Sequence, residues 1–340
     1  MIVHLSWRGA IVYNRTEIIL EAYPYEFTDT VKGRGVYFCY CQDGSRKVLK
    51  EFSGSGTKAG LLDQFLRFLK ERKWTAEQIV YTKEGQVLFT DTDDTRYYMR
   101  TWFEGRECDT RNREDILCAV RRLAQFHIEA EGFKEELPQG MSRRPDFLQQ
   151  EYLRHTRELH KVRNYIKAKK KRNKFETDFL KEYSYYLQQA EEATERLREM
   201  ETLTPERFFG VCHGDYSHHN LLFTAQGPVI INFERFCRDA YISDFAHFFR
   251  KIMEKHNWNT GLGMDMIHAY DKARRLDTWE LKQLGVRMSY PEKFWKVANH
   301  YFNSKKSWAN SRDGEKLEKI CAQEKERAEF LKIMDYFVHG

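Results

Sequence analysis

"VCHGDYSHHNLL", residues 211–222, and "VIINFERF", residues 229–236, decide how this chain is read. In the first, Asp215 stands ahead of Asn220 in a glycine-containing loop between short apolar runs. Phosphoryl transfer needs a group to accept a hydroxyl proton, oxygen donors for a divalent cation, and positioning. Asp215 has the first chemistry, and the carboxamide oxygen of Asn220 suits Mg²⁺, which takes oxygen ligands. His213 is expected to brace the loop by bonding backbone. In an extended "IINFE", Asn232 and Glu234 would share one side and Phe233 would face the other. Two other readings stand beside this one. His213, His218 and His219 could form a metal hydrolase site, but neighbours 218 and 219 point apart on most backbones and no HxxxH accompanies them. Alternatively the loop is purely structural, with Asp215 a cap.

On the N-terminal side, the first hundred residues read as strands with one helix. "GVYFCYCQDGSRKVLKEF" is two β-rich runs around the hairpin signature "QDGS". "KAGLLDQFLRFLKERKW" then carries apolar residues at helical spacing. Strands return in "QIVYTKEGQVLFTDTDDTRYYMRTWFEG", with turns at "KEGQ" and "TDDT". A small antiparallel sheet plus one helix is predicted for residues 1–103, and a mostly helical body for 104–340 that holds a catalytic loop over 211–234. There, Asn112 is the expected N-cap of a helix carrying Ile116, Val120, Leu123 and His127 on one stripe. Residues 145–203 read as a helical hairpin insertion, with Phe175, Phe179, Tyr183, Tyr186, Ala190, Ala193 and Leu197 on one face. The class is α+β.

Composition narrows the function. Of 340 residues, 32% are charged and 15% aromatic, an ordinary globular mixture. No apolar run approaches the ~20 residues of a membrane span, so no membrane partner is expected. "MIVHLSWRGAIVYNRTEIIL" mixes charge into its apolar stretch and does not have the shape of a signal peptide. Seven scattered cysteines, including the pair in "VYFCYC", read as buried thiols of a reducing compartment and not as a zinc set. The net charge of +6 is partly local to "KAKKKRNK", residues 167–174. That block is either a solvated turn between helices or a contact for an anionic partner. With no aromatic platform or zinc knuckle beside it, nucleic acid is not an expected partner.

"CHGDYSHHNLLF" followed by "VIINFERF" and "ISDFAHFFRK" resembles the loop pair of aminoglycoside and choline kinase-like phosphotransferases. Within that superfamily the chain resembles the CotS family of bacterial spore coat proteins, through "KVLKEF", "RTWFEGRE", "LAQFH" and "YPEKFWKVANHYFNSKKSW". The resemblance covers nearly the whole chain. It implies a two-lobed protein-kinase-like fold that uses ATP and Mg²⁺, with a small antiparallel β lobe with one helix and a larger helical lobe. Lys50 matches the lysine that contacts nucleotide phosphates, and Asp63 is the nearest acid on the following helix. The junction "YYMRTWFEG" matches the segment whose backbone meets adenine, with Met99 and Thr101 its candidate contacts. Asp215 inherits the role of base, Asn220 that of metal ligand, and Asp244 that of an acid ordering the loop. Synthesis in the mother-cell cytoplasm and deposition in the spore coat follow from the same resemblance.

The chain departs from the pattern twice. "VKGRGVYF" offers only Gly33 and Gly35 in place of a glycine-rich loop. Asn232 falls where the superfamily carries the aspartate that chelates Mg²⁺; Glu234 could supply the missing charge, or serve as a bracing acid. Two expectations follow: an ATP/Mg²⁺-dependent phosphotransferase acting on an unidentified hydroxyl acceptor (small molecule, polysaccharide or protein), or a weakened, pseudokinase-like component of the coat whose partners are other coat proteins.

Overall fold

The computed structural model describes residues 15–33, 35–143, 146–201, 205–304 and 309–339. The chain divides into two compact units, Met1–Arg106 with Thr224–Glu234, and Glu107–Phe223 with Arg235–Gly340. The first break falls between Arg106 and Glu107. The segment 224–234, predicted to lie in the helical body, belongs instead to the first unit. Its strand reaches back, with Ile230 bridging Ala76 in parallel.

In chain order the first unit carries α1 (Arg15–Glu21), β1 (Phe27–Lys32), β2 (Tyr37–Cys41), β3 (Arg46–Glu51), α2 (Gly56–Glu71), β4 (Ile79–Val80), β5 (Phe89–Thr90) and β6 (Arg96–Thr101). Strand β7 (Arg106–Glu107) lies at the junction. The antiparallel sheet runs β1-β2-β3-β6-β4, with β5 also on β6. Its turns fall at the sequence signals, where Gly44, Gly85 and Asp94 take positive φ (78°, 76° and 63°). At the β1–β2 turn Gly33 N–H donates to Val36 O at 2.9 Å. Helix α2 starts at Ser55, whose side chain accepts from Lys58 N–H, and buries Leu62, Phe65, Leu66 and Leu69.

The second unit follows with α3 (Arg113–Ala130), α4 (Phe147–Ala168), α5 (Lys174–Glu201), β8 (Phe209–Cys212) and β9 (Leu221–Thr224). After β10 (Gly227–Ile230), which belongs to the first unit, come β11 (Cys237–Ala240), α6 (Ile242–Lys255), α7 (Thr260–Ala273), α8 (Thr278–Ser289), α9 (Glu292–Asn303), α10 (Ala309–Ala322) and α11 (Glu324–His339). Asn112 caps α3 by accepting from Glu114 and Asp115 N–H, as its sequence predicts. The hairpin of α4 and α5 is part of this unit's core, not an appendage. Phe175, Phe179, Tyr183 and Tyr186 pack with Phe294 and Val297 of α9 and Leu317 of α10. Burial of such side chains contributes roughly 1.5–3 kcal/mol each. In the basic block, Lys169 pairs with Glu176 at 2.5 Å, while Arg172 donates to Ile166 O and Lys167 O. These cations close the α4 C-terminus, where positive charge is favourable.

Candidate active site

The loop after β8 is built around one buried carboxylate. Asp244, in the first turn of α6, accepts from His213 N–H at 2.6 Å and Gly214 N–H at 2.9 Å. Gly214 sits at φ 77°, and a Cβ there would meet Arg235 O at 2.0 Å, so glycine is required twice over. His213 is fully buried and its Nδ1 accepts from Asp215 N–H at 3.2 Å, the bracing role its sequence suggested. Asn220 Nδ2 donates to Asp215 O at 2.8 Å, which fixes the orientation of the carboxamide. Asp215, Asn220 and His213 are thus tied into one small backbone-bonded loop. The Asp215 carboxylate is part-exposed, and its Oδ1 lies 3.9 Å from His247 Nε2.

Asp244 also faces His127 Nε2 at 3.3 Å, while His127 Nδ1 meets the Tyr270 hydroxyl at 2.6 Å. Burial pushes the Asp244 carboxyl up, but the His127 hydrogen bond, the His127 and His213 rings and the loop N–H outweigh it, so its pKa is lowered. Burial lowers that of His127. His127, Cys212 and Asp244 come within 4.8 Å of one another, a His–Asp cluster that the sequence did not reveal. Their polar atoms are already engaged, the Cys212 thiol by Asp239 O and Ala240 O, and burial pushes that thiol well up. The cluster is packing for the loop.

His218 and His219 do not point apart. They lie in a 3₁₀ turn, His218–Asn220, and their rings sit 3.9 Å apart. A tight turn crowds neighbouring side chains that a strand would separate. His218 Nε2 faces Lys255 Nζ at 3.1 Å and His219 Nδ1 pairs with Glu107 at 2.6 Å.

The first unit holds the remaining predicted residues in a second network. Lys50 Nζ donates to Glu234 Oε1 at 2.7 Å, and the Tyr98 hydroxyl donates to the same oxygen. Asp63 is not the partner of Lys50. It accepts from Tyr81 at 2.7 Å and pairs with Arg67 at 2.8 Å. Burial pushes Glu234 up, yet the Lys50 charge and hydrogen bond, with help from Tyr98 and Arg100, outweigh it and lower its pKa. Asn232 Oδ1 accepts from Arg100 Nη2 at 3.0 Å, and Arg100 pairs with Glu77 at 3.0 Å. Glu77, fully buried, also accepts from Asn232 N–H at 3.0 Å and Phe233 N–H at 3.1 Å. The alternation expected of "IINFE" is absent, because β10 ends at Ile230, Asn232 takes φ 66°, and Phe233–Arg235 is a 3₁₀ turn. Asparagine tolerates that left-handed conformation better than most residues.

Met99 and Thr101, the candidate adenine contacts, both lie in the sheet ladder. Met99 is fully buried, with its backbone in the ladders to Leu49 and Val80. The N–H of Thr101 donates to Gln78 O, and its hydroxyl accepts from Gln78 N–H. The first backbone beyond the ladder is residues 102–105.

An antiparallel sheet with one long helix, joined in sequence to a helical body that carries this loop, is the fold of kinase-like phosphotransferases. The chain belongs to the family described as spore coat putative kinase YutH, whose model matches residues 17–334. None of the curated proteins matches it in sequence. An aminoglycoside phosphotransferase from Alicyclobacillus acidocaldarius subsp. acidocaldarius DSM 446 is similar over 97% of each chain, at TM-score 0.82 and 20% identity. A microcompartment-associated aminopropanol kinase is similar over 90% of this chain and 94% of its own, at TM-score 0.65 and 15% identity. The amicoumacin kinase hAmiN, solved with AMP-PNP, Ca²⁺ and Ami, covers 92% and 94%, at TM-score 0.63 and 13% identity. No described helix is long and apolar enough to cross a membrane.

Proposed function

We propose that the chain is an ATP-dependent phosphotransferase of low turnover. Asp215 takes the proton of an acceptor hydroxyl as that oxygen bonds to the γ-phosphorus. The bond from that phosphorus to the bridging oxygen breaks, and ADP leaves. The observation that carries this reading is the loop itself, in which a part-exposed Asp215 is anchored through His213, Gly214 and Asn220 onto buried Asp244.

Mg²⁺, when bound, would neutralise phosphate charge. Asn220 fits such an ion, being an oxygen ligand on a fixed loop. Asn232 and Glu234 fit it less well as they stand, since Arg100 faces the amide oxygen and Lys50 already neutralises the carboxylate. Loss of even an outer partner of a metal site lowers affinity or activity about 10- to 100-fold, in keeping with low turnover. Lys50 has three N–H donors, so it can keep Glu234 and still present an N–H to a phosphate.

The engagement of Asn232 by Arg100 favours a second reading, a coat component whose nucleotide site is vestigial and whose partners are other coat proteins. The neighbours act on aminoglycosides or aminopropanol by name, but a sugar, an amine, a coat polysaccharide and a protein hydroxyl all stay open here. Mg-ATP titration with melting curves separates the readings, because a ligand at 100 times its Kd stabilises a fold by ~2.7 kcal/mol. Asp215→Ala should then lower phosphate transfer by about 10²- to 10⁴-fold and leave nucleotide binding intact. No rise in melting temperature at millimolar Mg-ATP selects the vestigial reading.

A further inference from the structure

Helix α6 turns one face past Asp215, and that face is cationic. His247 lies 3.9 Å from the carboxylate, and Arg250, Lys251 and Lys255 follow on the next turns. Carboxylates in the same neighbourhood are outnumbered. Arg250 and Lys296 of α9 share Glu292. Lys293 occupies Glu254 at 2.8 Å, and Arg143 occupies Asp239 at 2.8 Å. Lys255 is held by Thr110 and His218, neither of them anionic. Lys251 and Arg287 of α8 pair with no carboxylate among the described residues.

Arg250 joins these groups, since its Nη2 donates to Arg287 O at 2.6 Å. Three of the nitrogens are buried with no hydrogen-bond partner among the described residues: His247 Nε2, Arg250 Nε and Arg287 Nε. Burial lowers the pKa of Lys251, and Lys296 and Lys255 lower it further, with only Asp215 and Glu254 opposing them. Burial, Arg250 and Arg143 act in the same direction on Arg287, against Asp239. Buried cations without counter-charges are costly. An arginine-rich set of this kind suits the planar, bidentate recognition of phosphate or carboxylate.

We propose that this face of the second unit binds an anionic hydroxyl compound, its phosphate or carboxylate on Arg250, Lys251, Arg287 and Lys296 and its hydroxyl towards Asp215. As an acceptor site it rests on the phosphotransferase reading above. As an anion site it does not. The co-reactant is a nucleoside triphosphate, and the proton and phosphoryl group move as already described. Amine-bearing acceptors are repelled.

The test is calorimetric titration of the full chain, at low salt and without nucleotide, with inorganic phosphate, glucose 6-phosphate, glucuronate, glucose and kanamycin. Saturable binding is expected for the anionic probes and none for glucose or kanamycin; a phosphate preference over glucuronate identifies the favoured anion. Lys251→Ala should weaken binding about ten-fold or more, as loss of a charge-assisted contact does, and Arg287→Met should do the same if it folds. Equal binding of glucose or kanamycin, no binding of any anion, or full affinity in Lys251→Ala overturns the proposal. So does displacement of glucose 6-phosphate by Mg-ATP at the same site, which would give the cluster to the nucleotide. Mg-ATP binding without anion binding removes this inference alone. Anion binding without Mg-ATP binding keeps the site and removes the phosphotransfer reading.

Discussion

Two buried carboxylates perform the same task in the two units. Glu77 collects the N–H groups of Asn232 and Phe233, and Asp244 collects those of His213 and Gly214. Each holds a turn that contains a positive-φ residue, Asn232 or Gly214. Their other partners differ. Glu77 faces the guanidinium of Arg100, which also takes the Asn232 oxygen, whereas Asp244 faces the imidazole of His127, whose pKa burial lowers. One turn is therefore closed by charge and has its side chain engaged. The other is closed by a carboxylate with an imidazole in place of a guanidinium beside it, and leaves its acid, Asp215, part-exposed. One fold can thus hold two turns on buried carboxylates and leave an acid available at only one of them.

The largest test of that contrast is steric. Gly214→Ala should cost about 4 kcal/mol or more, or prevent folding, because backbone and not a side-chain tip stands where the methyl would go. Asn232→Ala, also at positive φ, should cost only about 1–2 kcal/mol plus its carboxamide contact. Urea denaturation reads both, and equal losses would mean that the two turns are strained alike.

Next comes the charge difference. Glu77→Gln leaves Arg100 buried without its carboxylate and should cost about 3–5 kcal/mol. Asp244→Asn takes one acceptor from the loop N–H groups and strands no guanidinium, so it should cost about 1–3 kcal/mol. A reversed order would show that the Asp244 turn depends on charge after all.

Acidity acts more gently. Burial above all, then Arg154 and Lys296, lower the pKa of His155 to about 3. Burial, then Lys251 and Arg250, bring that of His247 to about 3, and burial and Lys255 bring that of His218 to about 4. Their folded pKa values lie below the unfolded value near 6.5, so between those limits the unfolded chain binds more protons and stability rises with pH. The urea midpoint should fall as pH drops from about 6.5 towards 4, and His155→Phe should flatten that slope. A midpoint constant over this range would show that these rings are charged in the folded chain.

The smallest effect concerns the metal. Asn232→Asp keeps a residue suited to φ 66° and adds the missing charge. It should tighten Mg-ATP binding by about 10-fold in calorimetry while Arg100 keeps a partner. No change would mean that position 232 does not approach the ion.

The loop 211–222 was legible because its chemistry is local, with Asp215, Asn220, His213 and Gly214 within one short motif and Asp244 predicted at the next helix. The α5 stripe was legible for a related reason, since helical spacing from Phe175 to Leu197 fixes one buried face. Glu77 and Arg100 were not, because neither residue's local pattern marks it as buried. The contacts that explain them span 155 and 132 residues, to Asn232. The left-handed turn at Asn232 likewise defeats strand alternation, which assumes extended backbone. The cationic face of α6 was hidden for another reason: its sequence reads as an ordinary amphipathic helix until α8 and α9 bring Arg287 and Lys296 beside it.

The first unit is discontinuous, and this shapes its birth on the ribosome. Its sheet is complete at Thr101, but the segment ending at Glu234 that satisfies Glu77, Arg100 and Lys50 emerges much later. At about 5–20 residues per second, Lys50 is without Glu234, and the Glu77–Arg100 pair without its Asn232 contacts, for about 7–27 s. The paired sheet waits for those contacts while α3, α4 and α5 are translated, and a fragment stopping at Arg106 should be less stable than the whole unit.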